Sequence, residues 1–168
     1  DEHAAQAADA WLLAGTAARD GTVWFRSQDG ILQRSPAGYR AWRDGRLLAG
    51  RAPVDIIETS DGTIWFTAGY AGLGLARWWA GQIQRYGTDD GLPDGRVFSV
   101  TEDANRTLWA GTGMGLARLD GQRFAALGSS HGLPTGQITS LCAARDGGLW
   151  LGLEGVLARF DGNRTRVY

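Results

Sequence analysis

Along the chain, apolar residues fall in short runs rich in Val, Ile, Leu, Phe and Trp, and Gly, Asp or Asn closes most of them. Runs this short, punctuated by turn formers, predict β-strands, because a packed helix needs a longer periodic stretch. The clearest series is 97–102, 108–111, 115–119 and 123–126. Equivalent series fall near 10–16, 23–27, 31–35 and 39–43; near 54–58, 64–68, 74–79 and 83–86; and near 138–143, 149–152, 156–160 and 164–168. The expectation is an all-β chain whose strands come in four groups of four.

The groups are copies of one unit. Tryptophan recurs at Trp24, Trp65, Trp109 and Trp150, spaced by 41, 44 and 41 residues, each just after a turn-forming stretch such as Asp61-Gly62-Thr63. Arg118 and Arg159 stand nine residues past their tryptophans and are followed by the turn pairs Asp120-Gly121 and Asp161-Gly162. Each unit closes on a bulky residue: Trp42, Tyr86, Leu127 or Tyr168. A unit of about 40 residues with four short antiparallel strands and one fixed tryptophan is the signature of a β-propeller blade. A single blade cannot cover both of its faces, so blades must stack, and the four repeat tryptophans are expected to fill the space between sheets. The predicted division is an N-terminal segment 1–9 and blades 10–45, 46–88, 89–128 and 129–168.

In copy three, Gly91-Leu92-Pro93, Glu102-Asp103, Leu108-Trp109-Ala110-Gly111-Thr112 and Gly115-Leu116-Ala117-Arg118 resemble the two-component regulator propeller repeat. Copy four follows the pattern from Gly132-Leu133-Pro134 onward, but Ala143-Ala144 replaces the acidic pair, and copy one lacks that pair too. The resemblance implies the periplasmic sensing region of a bacterial membrane receptor, with two seven-bladed propellers, an immunoglobulin-like domain and a separate signalling module. It implies a small-molecule or oligosaccharide ligand, and neighbouring propeller and immunoglobulin-like domains, or a second copy, as partners. Four blades could close as a small ring, form an open arc of a seven-bladed ring, or supply half of an eight-bladed dimer; the open fragment is the expectation.

Composition narrows the chemistry. All 17 basic residues are Arg, so no Schiff-base lysine, P-loop lysine or kinase ATP-site lysine exists in the chain. A net charge of -1 gives no footprint for nucleic acid. No apolar run reaches the roughly 20 residues that span a bilayer, so no membrane contact is expected within this segment. The chain begins at Asp1 with no initiator Met or signal-like stretch, and so reads as an excised or processed piece. Cys142 is expected to be a small buried apolar residue. His3 and His131 have no sequence neighbours suited to metal or nucleophilic work, so neither a cofactor nor a metal is expected. Asp61-Gly62-Thr63-Ile64-Trp65-Phe66-Thr67 is similar to the repeat of streptogramin lyases, which gives an enzymatic alternative; no histidine falls in a blade strand to support it. A purely structural or protein-interaction propeller is the other alternative.

Strand alternation sorts the links between strands onto two faces. Asp-Gly turns share one face; the links from second to third strand, and those between blades, share the other. Copy two carries three extra residues in that second link, with Tyr70 near its tip. Tyr70, Arg96, Met114, Gln137 and Glu154, with Gln28 and Asp29, are therefore the candidate ligand-contacting residues, since variable loops on a rigid scaffold tend to carry recognition. Trp79 occupies a turn position on the opposite face and is expected to be partly exposed, a candidate contact with a neighbouring domain or subunit.

Overall fold

A computed structural model describes residues 12–27, 30–42 and 53–168. It contains four separate four-stranded antiparallel sheets, each formed by strands consecutive in sequence. Blade 1 comprises β1 (Leu12–Ala17), β2 (Val23–Ser27), β3 (Gly30–Ser35) and β4 (Gly38–Trp42). Blade 2 comprises β5 (Ile56–Glu58), β6 (Ile64–Thr67), β7 (Leu75–Trp79) and β8 (Gln82–Tyr86). Blade 3 comprises β9 (Val97–Glu102), β10 (Leu108–Thr112), β11 (Gly115–Asp120) and β12 (Arg123–Leu127). Blade 4 comprises β13 (Ser140–Ala143), β14 (Leu149–Leu153), β15 (Val156–Phe160) and β16 (Thr165–Val167). The four blades form an open β-propeller segment, as the strand pattern implies.

Register explains the repeat. Trp24, Trp65, Trp109 and Trp150 lie opposite Gln33, Arg77, Arg118 and Arg159 on their third strands. The first three tryptophans are buried and face the following blade. Trp24 and Ile31 pack with Ile56, Ile64 and Phe66; Trp65 and Leu75 with Val97, Leu108 and Phe124; Trp109 and Leu116 with Ile138, Leu149 and Phe160. Burying each such side chain contributes about 1.5–3 kcal/mol, so the core lies between blades. Trp150 departs from the expectation: it is only half-buried, because no sheet among the described residues packs over it. Cys142, opposite Trp150 on the same uncovered face, is exposed, which corrects the expectation of a buried thiol.

The acidic pair of the repeat is a structural device. Glu58 accepts the Arg19 N–H of the preceding blade's turn at 3.1 and 3.3 Å, and Glu102 accepts the Ser60 N–H at 2.6 Å and its hydroxyl at 2.8 Å. Each glutamate thus clamps the blade before it. Asp103 accepts from the N–H groups of Asn105 and Thr107 and from Trp109 Nε1, which fixes both the turn and the tryptophan. Inner strands carry a second tie: Val100 N–H donates to Asp55 Oδ2 at 3.0 Å, and Leu141 N–H to Ser99 Oγ at 3.2 Å.

Gly-Leu-Pro linkers follow from steric need. Gly91 has φ +97°, and a Cβ there would strike the Phe124 carbonyl, so the turn admits only glycine. The next residue, Leu92, then anchors in the core, as Leu133 does after Gly132.

Candidate functional site: the loop face

Links from second to third strand gather on one face, beside the entries to the inner strands. In blade 1 this link contains Gln28 and Asp29, which lie outside the described residues. In blade 2 the longer link forms a 3-10 turn, Gly69–Ala71, with Tyr70 at its centre. Its exit is tied to blade 3 by the Gly74 N–H donating to the Gly95 carbonyl at 2.7 Å. The extra residues therefore brace the entry of the next blade.

Blade 3 brings Arg96 beside Met114, since the Gly113 N–H donates to the Arg96 carbonyl at 2.9 Å. Met114 is exposed. Arg96 is partly exposed, but its guanidinium is already engaged: Nε and Nη2 donate to Asp94 Oδ2 at 2.9 and 2.6 Å. Hydrogen bonding from Arg96 holds the Asp94 carboxyl below its ordinary value of 3.8, with burial opposing. A depressed carboxyl pKa means that the folded chain binds fewer protons than the unfolded chain below the ordinary value. That stability is present at neutral pH and is lost as pH falls from the ordinary value through the folded one. Asp61 shifts downward as well: burial raises it, and hydrogen bonds from Thr59 and Thr63 outweigh that. Thermal midpoints recorded against pH are expected to hold from neutrality to about pH 5 and to fall below about pH 4, with a shallower fall for Asp94→Asn. A midpoint that rises on acidification would contradict this.

Blade 4 differs at the same place. Thr135 and Gln137 stand where blade 3 has Asp94 and Arg96, so no ion pair fills the mouth. Thr135, Gly136, Gln137, Thr139, Leu153 and Glu154 line an open groove of about 760 Å³. Gln137 and Glu154, separated by 17 positions in sequence, are thus brought to one surface. Their amide and carboxylate offer both donors and acceptors, the set that hydroxyl groups need. Arg96 and Met114 do not line this groove, and the Tyr70 side chain lies outside what the structure describes. Thr135 and Thr139 were missed by sequence reasoning; the signal available was the loss of the charged pair between Pro134 and Ile138.

Smaller grooves lie elsewhere. One of about 500 Å³ sits between the Ser129–His131 turn and β16, near Asn163 and Thr165. Another of about 310 Å³ lies on the turn face between Arg19 and Trp78. His131 Nδ1 accepts the Gly128 N–H at 3.3 Å and contacts the Ser130 hydroxyl at 3.1 Å, so it closes its own turn. Trp79 on the opposite face is 56% exposed. Among the described residues no three His, Cys, Asp or Glu side chains converge. No helix among them is long and apolar enough to cross a membrane.

These features define a β-propeller segment whose loops present an open groove of mixed polar and apolar lining. Residues 91–114 and 132–155, within blades 3 and 4, match the two component regulator propeller family model. No curated protein matches the chain. Among solved structures, an extracellular domain assigned to a hybrid two-component system of B. thetaiotaomicron is similar over 90% of this chain, with 20% identity and a TM-score of 0.78. A second such domain from the same organism is similar over 95%, with 17% identity and a TM-score of 0.75. The chain spans 22% of the length of each. Virginiamycin B lyase of Staphylococcus aureus is similar over 94% of this chain and 55% of its own, with 20% identity and a TM-score of 0.71. At these identities the likeness is one of fold.

Proposed function

We propose that this chain is a ligand-sensing region of an extracytoplasmic two-component sensor, periplasmic in location, and that it binds without turnover. The regulator propeller repeat in blades 3 and 4 is the observation that carries this reading. The ligand is a small polyhydroxylated molecule or an oligosaccharide, bound at the loop face and chiefly in the blade 4 groove. Gln137, Glu154 and the two threonines offer neutral and acidic oxygens there, with no cation to recruit an anion. Binding shifts the arrangement of neighbouring propeller and immunoglobulin-like domains, which pass the signal to a membrane-proximal module. The lyase reading rests on fold likeness and on the Asp61–Thr67 motif; among the described residues that line the groove there is no histidine, and Glu154 is the single carboxylate.

A glycan array and a thermal-shift screen of neutral oligosaccharides test the proposal. At least one oligosaccharide is expected to raise the thermal midpoint in a concentration-dependent way, by the mass-action stabilisation of a ligand that binds only the folded state. Turnover of a cyclic ester in a magnesium-containing assay would overturn it in favour of an enzyme.

A further inference from the structure

The linker into blade 4 departs from the linker into blade 3. Thr88-Asp89-Asp90 and Ser129-Ser130-His131 form the same 3-10 turn, and each is followed by Gly-Leu-Pro. Gly91 lies so close to β12 that a Cβ would strike the Phe124 carbonyl, whereas a Cβ on Gly132 would meet nothing within 4 Å. The second linker therefore stands off its outer strand. Side chains shrink at the same junction: Tyr86 packs edge-on against Phe124, ring centroids 5.5 Å apart, and the register puts Leu127 and Thr165 at those two positions. The groove of about 500 Å³ between the Ser129–His131 turn and β16 lies at this gap.

Charge changes with shape. The linker into blade 3 carries two carboxylates, Asp89 and Asp90, and Arg123 Nη2 ties it to β12 by donating to the Asp89 carbonyl at 2.8 Å. Arg164 stands where Arg123 does, and Ser130 and His131 replace the two acids. The tie is missing: among the described residues Arg164 hydrogen-bonds through its main chain, its N–H donating to Asp161 Oδ1 at 2.7 Å, and its guanidinium donates to nothing. Asp161 lines an adjoining groove rather than this one, and no acid is found among the described residues that line it. What lines it is a set of donors: the Arg164 guanidinium, the Asn163 amide, the Ser130 hydroxyl and His131. His131 Nδ1 accepts the Gly128 N–H at 3.3 Å, which leaves Nε2 to carry the ring proton. Thr165 lines the groove as well, and its Oγ1 is buried without a hydrogen-bond partner, where such groups are ordinarily paired.

We propose that this groove is a second ligand site, separate from the loop face, for a compact oxyanion: the carboxylate of a small hydroxy acid or a sulfate. Arg164 supplies the charge and a fork of N–H groups that fits two oxygens of such a group, and His131 and Asn163 donate beside it. The anion bridges the linker and β16, and so restores across blade 4 the tie that Arg123 makes directly in blade 3. Its binding is independent of Gln137 and Glu154, which line a different groove.

Calorimetric titration of the 168-residue chain with tartrate and, separately, with sulfate tests this, in chloride buffers of matched ionic strength so that screening is constant. At least one of the two is expected to saturate a single site, and the tighter one identifies the oxyanion; erythritol, the neutral four-carbon polyol, is expected not to bind. Arg164→Gln should weaken binding at least about tenfold, the loss of a charge-assisted pair. Ser130→Asp with His131→Asp, which gives this linker the acids of the blade 3 linker, should do the same, and Arg123→Gln should leave affinity unchanged. Arg164, Ser130 and His131 are exposed, so both groove variants are expected to fold with the parent's circular dichroism. Absence of saturable binding by either anion overturns the proposal, as does equal weakening by Arg123→Gln and Arg164→Gln, which would mark diffuse charge attraction. Anion binding lost in Gln137→Ala and kept in Arg164→Gln overturns it in favour of the loop groove.

Discussion

Trp109→Ala lowers folding stability by about 3–5 kcal/mol, the range for truncating a fully buried aromatic. Trp109 packs edge-to-face on Phe160, with ring centroids 6.0 Å apart, and belongs to a cluster that includes Leu116, Ile138 and Leu149. Those neighbours belong to two blades, so the cavity opens the junction itself. For a domain whose total stability is of the order of 5–15 kcal/mol, the variant sits near its unfolding threshold. Trp150→Ala, the same substitution one repeat later, costs much less, because half-burial leaves little cavity to form. Urea unfolding of the two variants side by side checks the contrast, and equal losses would contradict the burial assigned to Trp109.

Asp103→Ala is the second large effect, about 2–3 kcal/mol. Its carboxylate is buried and accepts from Asn105 N–H at 2.8 Å, Thr107 N–H at 2.9 Å and Trp109 Nε1 at 2.9 Å. Removing it leaves three donors without their acceptor, and unmade bonds of part-buried donors cost more than the net worth of made ones. Asp103→Asn keeps one acceptor oxygen and is expected to lose less. A denaturation midpoint for Asp103→Ala within error of the parent would show that the turn holds the tryptophan unaided.

Strand positions, blade count and the tryptophan role were legible because each blade repeats the same alternation and the same turn chemistry. The acidic pair was legible as a motif but not as a clamp. Glu102 reaches Ser60, 42 positions away, and nothing in a single unit reveals a bond to the unit before it. Cys142 was misread for a related reason: the matching positions Thr16, Ile57 and Thr101 are partly buried beside a following blade, whereas Cys142, with no sheet over it among the described residues, is exposed. At the loop face, sequence located the links but not their convergence. Gln137 and Glu154 meet in one groove, while Arg96, alike in position to Gln137, is held by Asp94 two residues away. Side-chain pairing of that kind depends on the turn conformation between Pro93 and Val97, which residue types alone do not specify.

Binding at the blade 4 groove is the claim on which the functional account rests. Titration calorimetry with an oligosaccharide identified in the screen, run on Gln137→Ala, Glu154→Ala and Trp79→Ser, tests it most directly. The account predicts that both groove substitutions weaken affinity at least about tenfold, the loss of one to two good hydrogen bonds, while Trp79→Ser leaves it unchanged. Affinity lost with Trp79→Ser and retained in both groove variants would contradict it.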